Sequence, residues 1–235
     1  MSGKQGLVLI PGLYCDDALW EAQSAGLADR AEVRIADVTK DSSIAAMAER
    51  ILASAPERFA VAGLSMGGYV ALELWRQAPE RVTRIALLDT NARSDSAKTA
   101  AARRGFIARA RETSFEPIVR GALPVLMRPD TAPDIVERFV AMALRVGLEG
   151  YARQQEAIIT RADSRADLPT ITVPTLVLVG EEDRLTPPEL SEEIAAAVPG
   201  AVLERIARCG HLSTMEQPEA VTAALKRWLE VTPAA

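Results

Sequence analysis

The stretch Arg58-Phe59-Ala60-Val61-Ala62-Gly63-Leu64-Ser65-Met66-Gly67-Gly68 decides how this 235-residue chain is read. Arg58–Ala62 is a short apolar run of strand length, and a helical pattern follows Ser65. Between them Gly63-Leu64-Ser65-Met66-Gly67 fits G-x-S-x-G at a strand-to-helix turn, which holds its serine in a strained backbone conformation pointing out of a sheet. The glycines two residues to either side remove side chains that would collide in so sharp a turn. The same turn sets the Met66 N–H in the first turn of a helix, where unpaired donors and the helix dipole favour a developing negative charge.

Outward from this turn, short apolar runs recur at Gly6–Ile10, Val33–Ala36, Arg84–Leu88, Thr175–Val179 and Val202–Ile206. The runs at Gly6–Ile10 and Thr175–Val179 lack period-2 alternation, as strands buried on both faces of a parallel sheet do. Helical patterns lie between them. Ile44, Met47, Ala48, Ile51 and Leu52 form one apolar stripe behind the N-cap candidates Asp41-Ser42-Ser43, and further helices are expected after Pro187 and Gln217. Strand and helix in alternation predict an α/β fold with a mostly parallel sheet of about six to eight strands and right-handed crossovers. Residues 91–167 break the alternation. They read as helices only, with Ile135, Phe139, Met142 and Val146 on one face. No internal repeat, low-complexity tract or linker marks a second independent domain. The organisation expected is therefore a core of 1–90 and 168–235 with a helical insertion at 91–167.

Composition narrows the chemistry. The single histidine, His211, rules out zinc or iron sites built on two or three imidazoles within one chain. A net charge of −5 and a pI near 5.2 oppose nucleic-acid binding, which needs clustered basic residues. No apolar run reaches the roughly 18 residues that span a bilayer, and Leu7-Val8-Leu9-Ile10 before Pro11 is too short for a signal peptide, so no membrane is expected and the location expected is cytoplasmic. Cys15 and Cys209 match no zinc or redox spacing and read as free thiols.

A serine hydroxyl becomes a nucleophile when a base takes its proton, and the one imidazole available is His211, in Cys209-Gly210-His211 after the last strand pattern. A third group must orient that imidazole. Asp183 leads: it closes Gly180-Glu181-Glu182-Asp183 after a buried strand and stands in the chain order Ser, Asp, His. Glu181 and Glu182 are rivals, and Asp89, after Arg84–Leu88, is a more distant one.

Gly63–Gly67, Gly180–Asp183 and Gly210-His211, with a strand ending Ile10-Pro11-Gly12, together resemble the α/β-hydrolase superfamily, in the small capped branch that holds carboxylesterases, lactonases and C–C bond hydrolases. The resemblance runs from about Gly6 to Leu229. It implies a triad of Ser65, Asp183 and His211 at the carboxyl edge of the sheet, residues 91–167 as a cap over the pocket, and no metal or organic cofactor. Relatives usually have His-Gly where this chain has Pro11-Gly12. In the family that loop supplies the second oxyanion donor from the backbone N–H after the glycine, which here is Leu13, with Tyr14 its nearest substitute; Met66 N–H is the first. Dehalogenases and epoxide hydrolases of this fold attack with an aspartate, a route that Ser65 excludes.

The function this implies is hydrolysis of carboxylic esters of small to medium acyl chain through an acyl-enzyme. The alternatives are a lactonase or a C–C bond hydrolase using the same triad, and, from another class, a non-catalytic receptor for a small ligand. Tyr14, Phe106 and Phe139 are candidate substrate contacts; Phe106, Phe115 and Phe139 suit an apolar pocket or simply the packing of the inserted helices. Arg103, Arg104, Arg109 and Arg111 lie in an insertion holding 13 basic against 10 acidic side chains. They suit an acidic group on the substrate, an acidic carrier protein, or a solvated helix face.

Overall fold

The computed structural model describes residues 4–231. Six strands form one sheet in the order β2-β1-β3-β4-β5-β6, and every neighbouring pair is parallel. In chain order the elements are β1 (Gln5–Ile10), α1 (Glu21–Leu27), β2 (Ala31–Ile35), α2 (Ile44–Ser54), β3 (Phe59–Leu64), α3 (Met66–Gln77) and β4 (Val82–Leu88). Three helices follow, α4 (Ala97–Glu112), α5 (Phe115–Leu126) and α6 (Pro133–Ile159), before the chain returns to the sheet. It closes with β5 (Thr175–Gly180), α7 (Pro188–Ala197), β6 (Val202–Ile206), the one-turn α8 (Ser213–Glu216) and α9 (Pro218–Glu230).

The two faces of the central strands divide the core. Leu7 and Leu9 of β1, with Ala60, Ala62 and Leu64 of β3, join Leu27 of α1 and Val221, Leu225 and Trp228 of α9. Val8, Ile10, Phe59 and Val61 point the other way, onto Met47 and Ile51 of α2, Val70 and Leu74 of α3 and Ile194 of α7. Burial on both faces accounts for the continuous apolar runs of β1 and β5, because a parallel strand covered by helices has no wet side. The edge strands carry charge instead, Glu32 and Arg34 on β2 and Glu204 and Arg205 on β6, which blunts their unpaired rims. Ser43 is the residue that caps α2, accepting from Ala46 N–H at 3.2 Å.

Two departures from expectation bear on the site. Strand β3 continues through Gly63 and Leu64, so the sheet runs up to Ser65 itself. Helix α6 is broken at Gly147, whose φ of 71° and ψ of 171° leave the helical region. That break is a position where glycine's freedom is used, and it turns the second half of α6, with Tyr151, Gln154, Gln155 and Ile158, towards the sheet edge. The expected stripe on the first half is present, with Phe139 and Met142 fully buried. Among the described residues no helix is long and apolar enough to cross a membrane.

Strand order reverses direction at β1, which pairs with β2 on one side and β3 on the other. Crevices outside the carboxyl ends of strands at such a switch are where open α/β sheets bind ligands. The segments leaving β1 and β3 are those of Leu13 and Ser65.

Candidate active site

Ser65 sits at the corner between β3 and α3 with φ 55° and ψ −115°, a conformation that costs an ordinary residue on the order of 1–3 kcal/mol. The surroundings hold it there. Ser65 N–H donates to Leu88 O at 2.9 Å, and Ser65 O accepts from Gly68 N–H at 2.9 Å and from the Thr90 hydroxyl at 2.8 Å. A Cβ on Gly63 would stand 2.1 Å from Gly67 O, and one on Gly67 would stand 2.1 Å from Ile10 O. Both glycines are therefore demanded by close backbone approach, and the turn cannot form with a side chain at either.

His211 is buried in the loop after β6, its backbone N–H donating to Leu126 O of α5 at 3.1 Å. Its Nδ1 lies 2.8 Å from Asp183 Oδ2. A carboxylate only accepts, so Nδ1 carries the proton and Nε2 is left as the basic nitrogen. Asp183 is fixed in turn: Oδ1 accepts from the N–H groups of Leu185 and Thr186, both at 2.9 Å, and Oδ2 accepts from the Thr186 hydroxyl at 2.7 Å. Burial alone would raise this carboxyl, but His211 and Thr186 outweigh it and hold it below its usual range. Burial likewise pulls the His211 imidazole down, and the carboxylates of Asp183, Asp89 and Glu216 more than offset it, leaving the ring more basic than an ordinary histidine.

The rival acids go elsewhere. Glu181 and Glu182 are exposed, and Glu182 pairs with Arg128 at 2.6 Å. Asp89, at φ 46°, accepts from Gly180 N–H at 2.8 Å and from the Ser213 hydroxyl. It ties β4 to the end of β5 and to α8 rather than holding the imidazole. Burial and the neighbouring Asp183 push its carboxyl well above the usual range.

Ser65, His211, Leu13 and Tyr14 line one cavity of about 650 Å³, roofed by α4, α5 and the second half of α6. Met66 begins α3 beside Ser65 and is fully buried. Among the described residues Leu13 N–H has no protein acceptor, whereas Tyr14 N–H donates to Gln154 Oε1 at 3.0 Å. Tyr14 is thus occupied as a backbone donor, and its ring faces the cavity stacked 4.8 Å from Tyr151. Phe106 lines the mouth, 51% exposed. Phe139 requires a correction. It is 0% exposed and packs edge-on to Tyr14 at 6.1 Å, supporting the wall without reaching the cavity. Of the four arginines, Arg103 and Arg109 line the cavity; Arg104 turns to Glu156 at 3.7 Å. Both cysteines are free and buried.

Several residues had no sequence signal. Thr186 braces the Asp183–His211 pair, Gln154 clamps the loop after β1, and Glu216 accepts from Gly210 N–H and Arg128 N–H, both at 3.2 Å. A lone glutamine or threonine in a helical or turn context has no spacing that distinguishes it.

A parallel sheet whose β3–α3 corner strains a serine, with His211, held by the buried Asp183, lining the same cavity at the carboxyl edge of the strands, defines an α/β protein with its candidate site at that edge. The alpha/beta hydrolase family model matches residues 7–224, and the chain belongs to that family. It is 31% identical over 173 residues to 3-oxoadipate enol-lactonase 2 of Acinetobacter baylyi, covering 71% of this chain and 63% of that protein, so it spans less than two thirds of that relative's length. It is 26% identical over 241 residues to a pimeloyl-[acyl-carrier protein] methyl ester esterase of Aromatoleum aromaticum, covering 92% of this chain and 94% of that one. Among solved structures, a thermophilic esterase from Thermogutta terrifontis matches with a TM-score of 0.87 and 32% identity over 97% of this chain and 90% of that chain.

Proposed function

We propose that this protein is a serine hydrolase of carboxylic esters, lactones included, and that residues 91–167 serve as the cap over its pocket. One observation carries the reading: the Asp183–His211 pair, with Nε2 left basic, opens on the same cavity as the strained Ser65. Ser65 Oγ attacks the carbonyl carbon while His211 Nε2 takes its proton. The carbonyl electron pair moves onto oxygen, where Leu13 N–H and Met66 N–H receive it. When the tetrahedral species collapses, the imidazolium returns the proton to the departing alcohol oxygen, leaving an acyl-enzyme. Water, deprotonated by His211, then attacks the acyl carbon and releases the acid and Ser65. Lactone opening follows the same steps with the leaving alcohol still attached to the acyl chain, and the enol-lactonase relative supports including it. Acyl groups on a carrier protein, the substrate named for the second relative, are a further option within the same chemistry.

The test is hydrolysis of p-nitrophenyl butyrate together with labelling by a fluorophosphonate. The wild type should turn over ester and take the label, and Ser65→Ala should lose both while keeping its circular dichroism spectrum. An unaltered rate in Ser65→Ala would remove the assignment.

A further inference from the structure

The cavity wall opposite in origin to the sheet edge is electrically lopsided. Its charged members besides His211 are Arg103, Arg109, Arg161 and a single acid, Asp95. Asp95 is shared: Oδ2 accepts from Arg103 Nε at 2.6 Å and Oδ1 from Arg161 Nη1 at 2.7 Å, and its side chain is only 4% exposed. One carboxylate between two guanidinium groups leaves one positive charge over. Arg109 adds another, since it has no ion-pair partner among the described residues. Arg161 is committed to structure, with Nε on Arg93 O at 2.9 Å and its guanidinium 4.3 Å from the Tyr69 ring centroid. Arg103 spends Nε on Asp95 and Nη1 on Gln155 Oε1 at 2.8 Å. Its Nη2 has no acceptor among the described residues.

Arg103, Phe106 and Arg109 recur every three residues on one face of α4, so two guanidinium groups flank an aromatic ring along the wall. Ile118, Val125, Ile158 and Leu212 give the lining an apolar stretch, beside the polar Asn91, Thr99, Gln155 and Thr186. Arg109 is exposed at the mouth and the Arg103 side chain is 21% exposed, and both present guanidinium groups with unused donors to the cavity that holds Ser65, a place where an anion can be bound. The planar fork of arginine fits a carboxylate through two parallel hydrogen bonds.

Resting on the ester-hydrolase reading above, we infer that the preferred substrates are esters or lactones bearing a second, free carboxylate, held by Arg103 and Arg109 on α4 while the ester carbonyl lies at Ser65. Phe106 and the apolar lining take the short carbon chain between the two groups.

The experiment compares monomethyl esters of a series of straight-chain dicarboxylic acids with the same esters capped as neutral amides. The ratio of kcat/KM, acid over amide, should reach about tenfold to a hundredfold at the best chain length, the scale of one charge-assisted pair. It should fall towards one in Arg109→Met and in Arg103→Met, chiefly through KM, and shrink as salt is raised. Because each variant is compared with itself, a general loss of rate does not disturb the ratio. Glutarate binding by calorimetry gives a readout independent of turnover, and it should weaken at least about tenfold in Arg109→Met. A ratio near one in the wild type, with turnover still lost in Ser65→Ala, overturns the carboxylate site and leaves the hydrolase standing. If no ester is turned over, the hydrolase reading falls; glutarate binding that depends on Arg109 then sustains the anion site, and binding indifferent to Arg109 overturns it as well.

Discussion

At the scale of single residues, the histidine is the group whose chemistry is most constrained. It is the only imidazole in the chain, it is buried, and three carboxylates face it or lie near it. A base works only when deprotonated, and His211 is held more basic than an ordinary histidine, so it stays protonated to higher pH. The sign follows: ester hydrolysis should fall as pH is lowered, with a midpoint in kcat/KM above the ordinary imidazole range, and a profile flat into the carboxylate range would contradict it. Asp183 and Asp89 can be told apart in the same assay. Asp183→Asn removes the acceptor that fixes the Nδ1 proton and should cost on the order of 10³–10⁴-fold in kcat. Asp89→Asn keeps an acceptor for Gly180 N–H and a polar partner for Ser213, and should cost about tenfold or less. The reverse ranking would move the acid to Asp89.

Elements place these residues, and they differ in how far sequence exposes them. Each of the six apolar runs became a strand; in β1, β3 and β5 burial on both faces writes itself as runs of Val, Ile, Leu and Ala, while the edge strands β2 and β6 carry Glu and Arg among their apolar residues. The Ser65 corner was legible for a different reason: backbone atoms 2.1 Å from where a Cβ would sit leave glycine as the only residue that fits at 63 and 67. The roof over the cavity was not legible in the same way. Helical periodicity shows which face of α6 is apolar but not which partner that face meets, so Phe139 looked as suited to the pocket as Phe106. Gln154 carries no pattern at all, yet it is fully buried and holds Tyr14, at φ 71°, one residue past Leu13. Gln154→Leu would strand the Tyr14 N–H in an apolar site, a penalty of about 1–3 kcal/mol that the loop relieves by turning. We expect kcat to drop about tenfold to a hundredfold with KM changed less than about threefold, and Gln154→Glu, which keeps the acceptor, to retain more. A loss confined to thermal stability would make Gln154 a packing residue only.

The molecule as a whole joins a sheet body of net −8 to a helical insertion of net +3, and the question is what fixes one on the other. Exposed ion pairs cross between them, Arg138 to Glu21 at 2.6 Å and Arg145 to Asp16 at 2.8 Å, but pairs this open to water contribute about 0–1 kcal/mol each. Buried hydrogen bonds cross as well, Tyr14 N–H to Gln154 Oε1 at 3.0 Å and His211 N–H to Leu126 O at 3.1 Å, and the insertion itself is closed at its neck, where the chain leaves β4 and returns towards β5. There Ser164 N–H donates to Ala92 O at 2.7 Å, Arg161 reaches Arg93 O, and Asp95, on the outgoing segment, binds both Arg161 on the returning segment and Arg103 of α4. The Arg161 side chain is 6% exposed, so its charge has little water to fall back on. Asp95→Asn keeps the size and removes the countercharge, leaving two guanidinium groups facing each other across a neutral amide. Breaking a buried pair in this way costs about 3 kcal/mol, and in a chain of this length that corresponds to a fall in Tm of roughly 6–12 °C. Raising salt should narrow the gap between variant and wild type only slightly, because the pair is shielded from ions, whereas the exposed bridges are already screened. A melting temperature within about 2 °C of the wild type would show instead that apolar packing of α4 on α6 holds the insertion, with Ile107, Ala110, Val140 and Tyr151 sharing one buried cluster, and that the arginines at the neck answer to the cavity rather than to the fold.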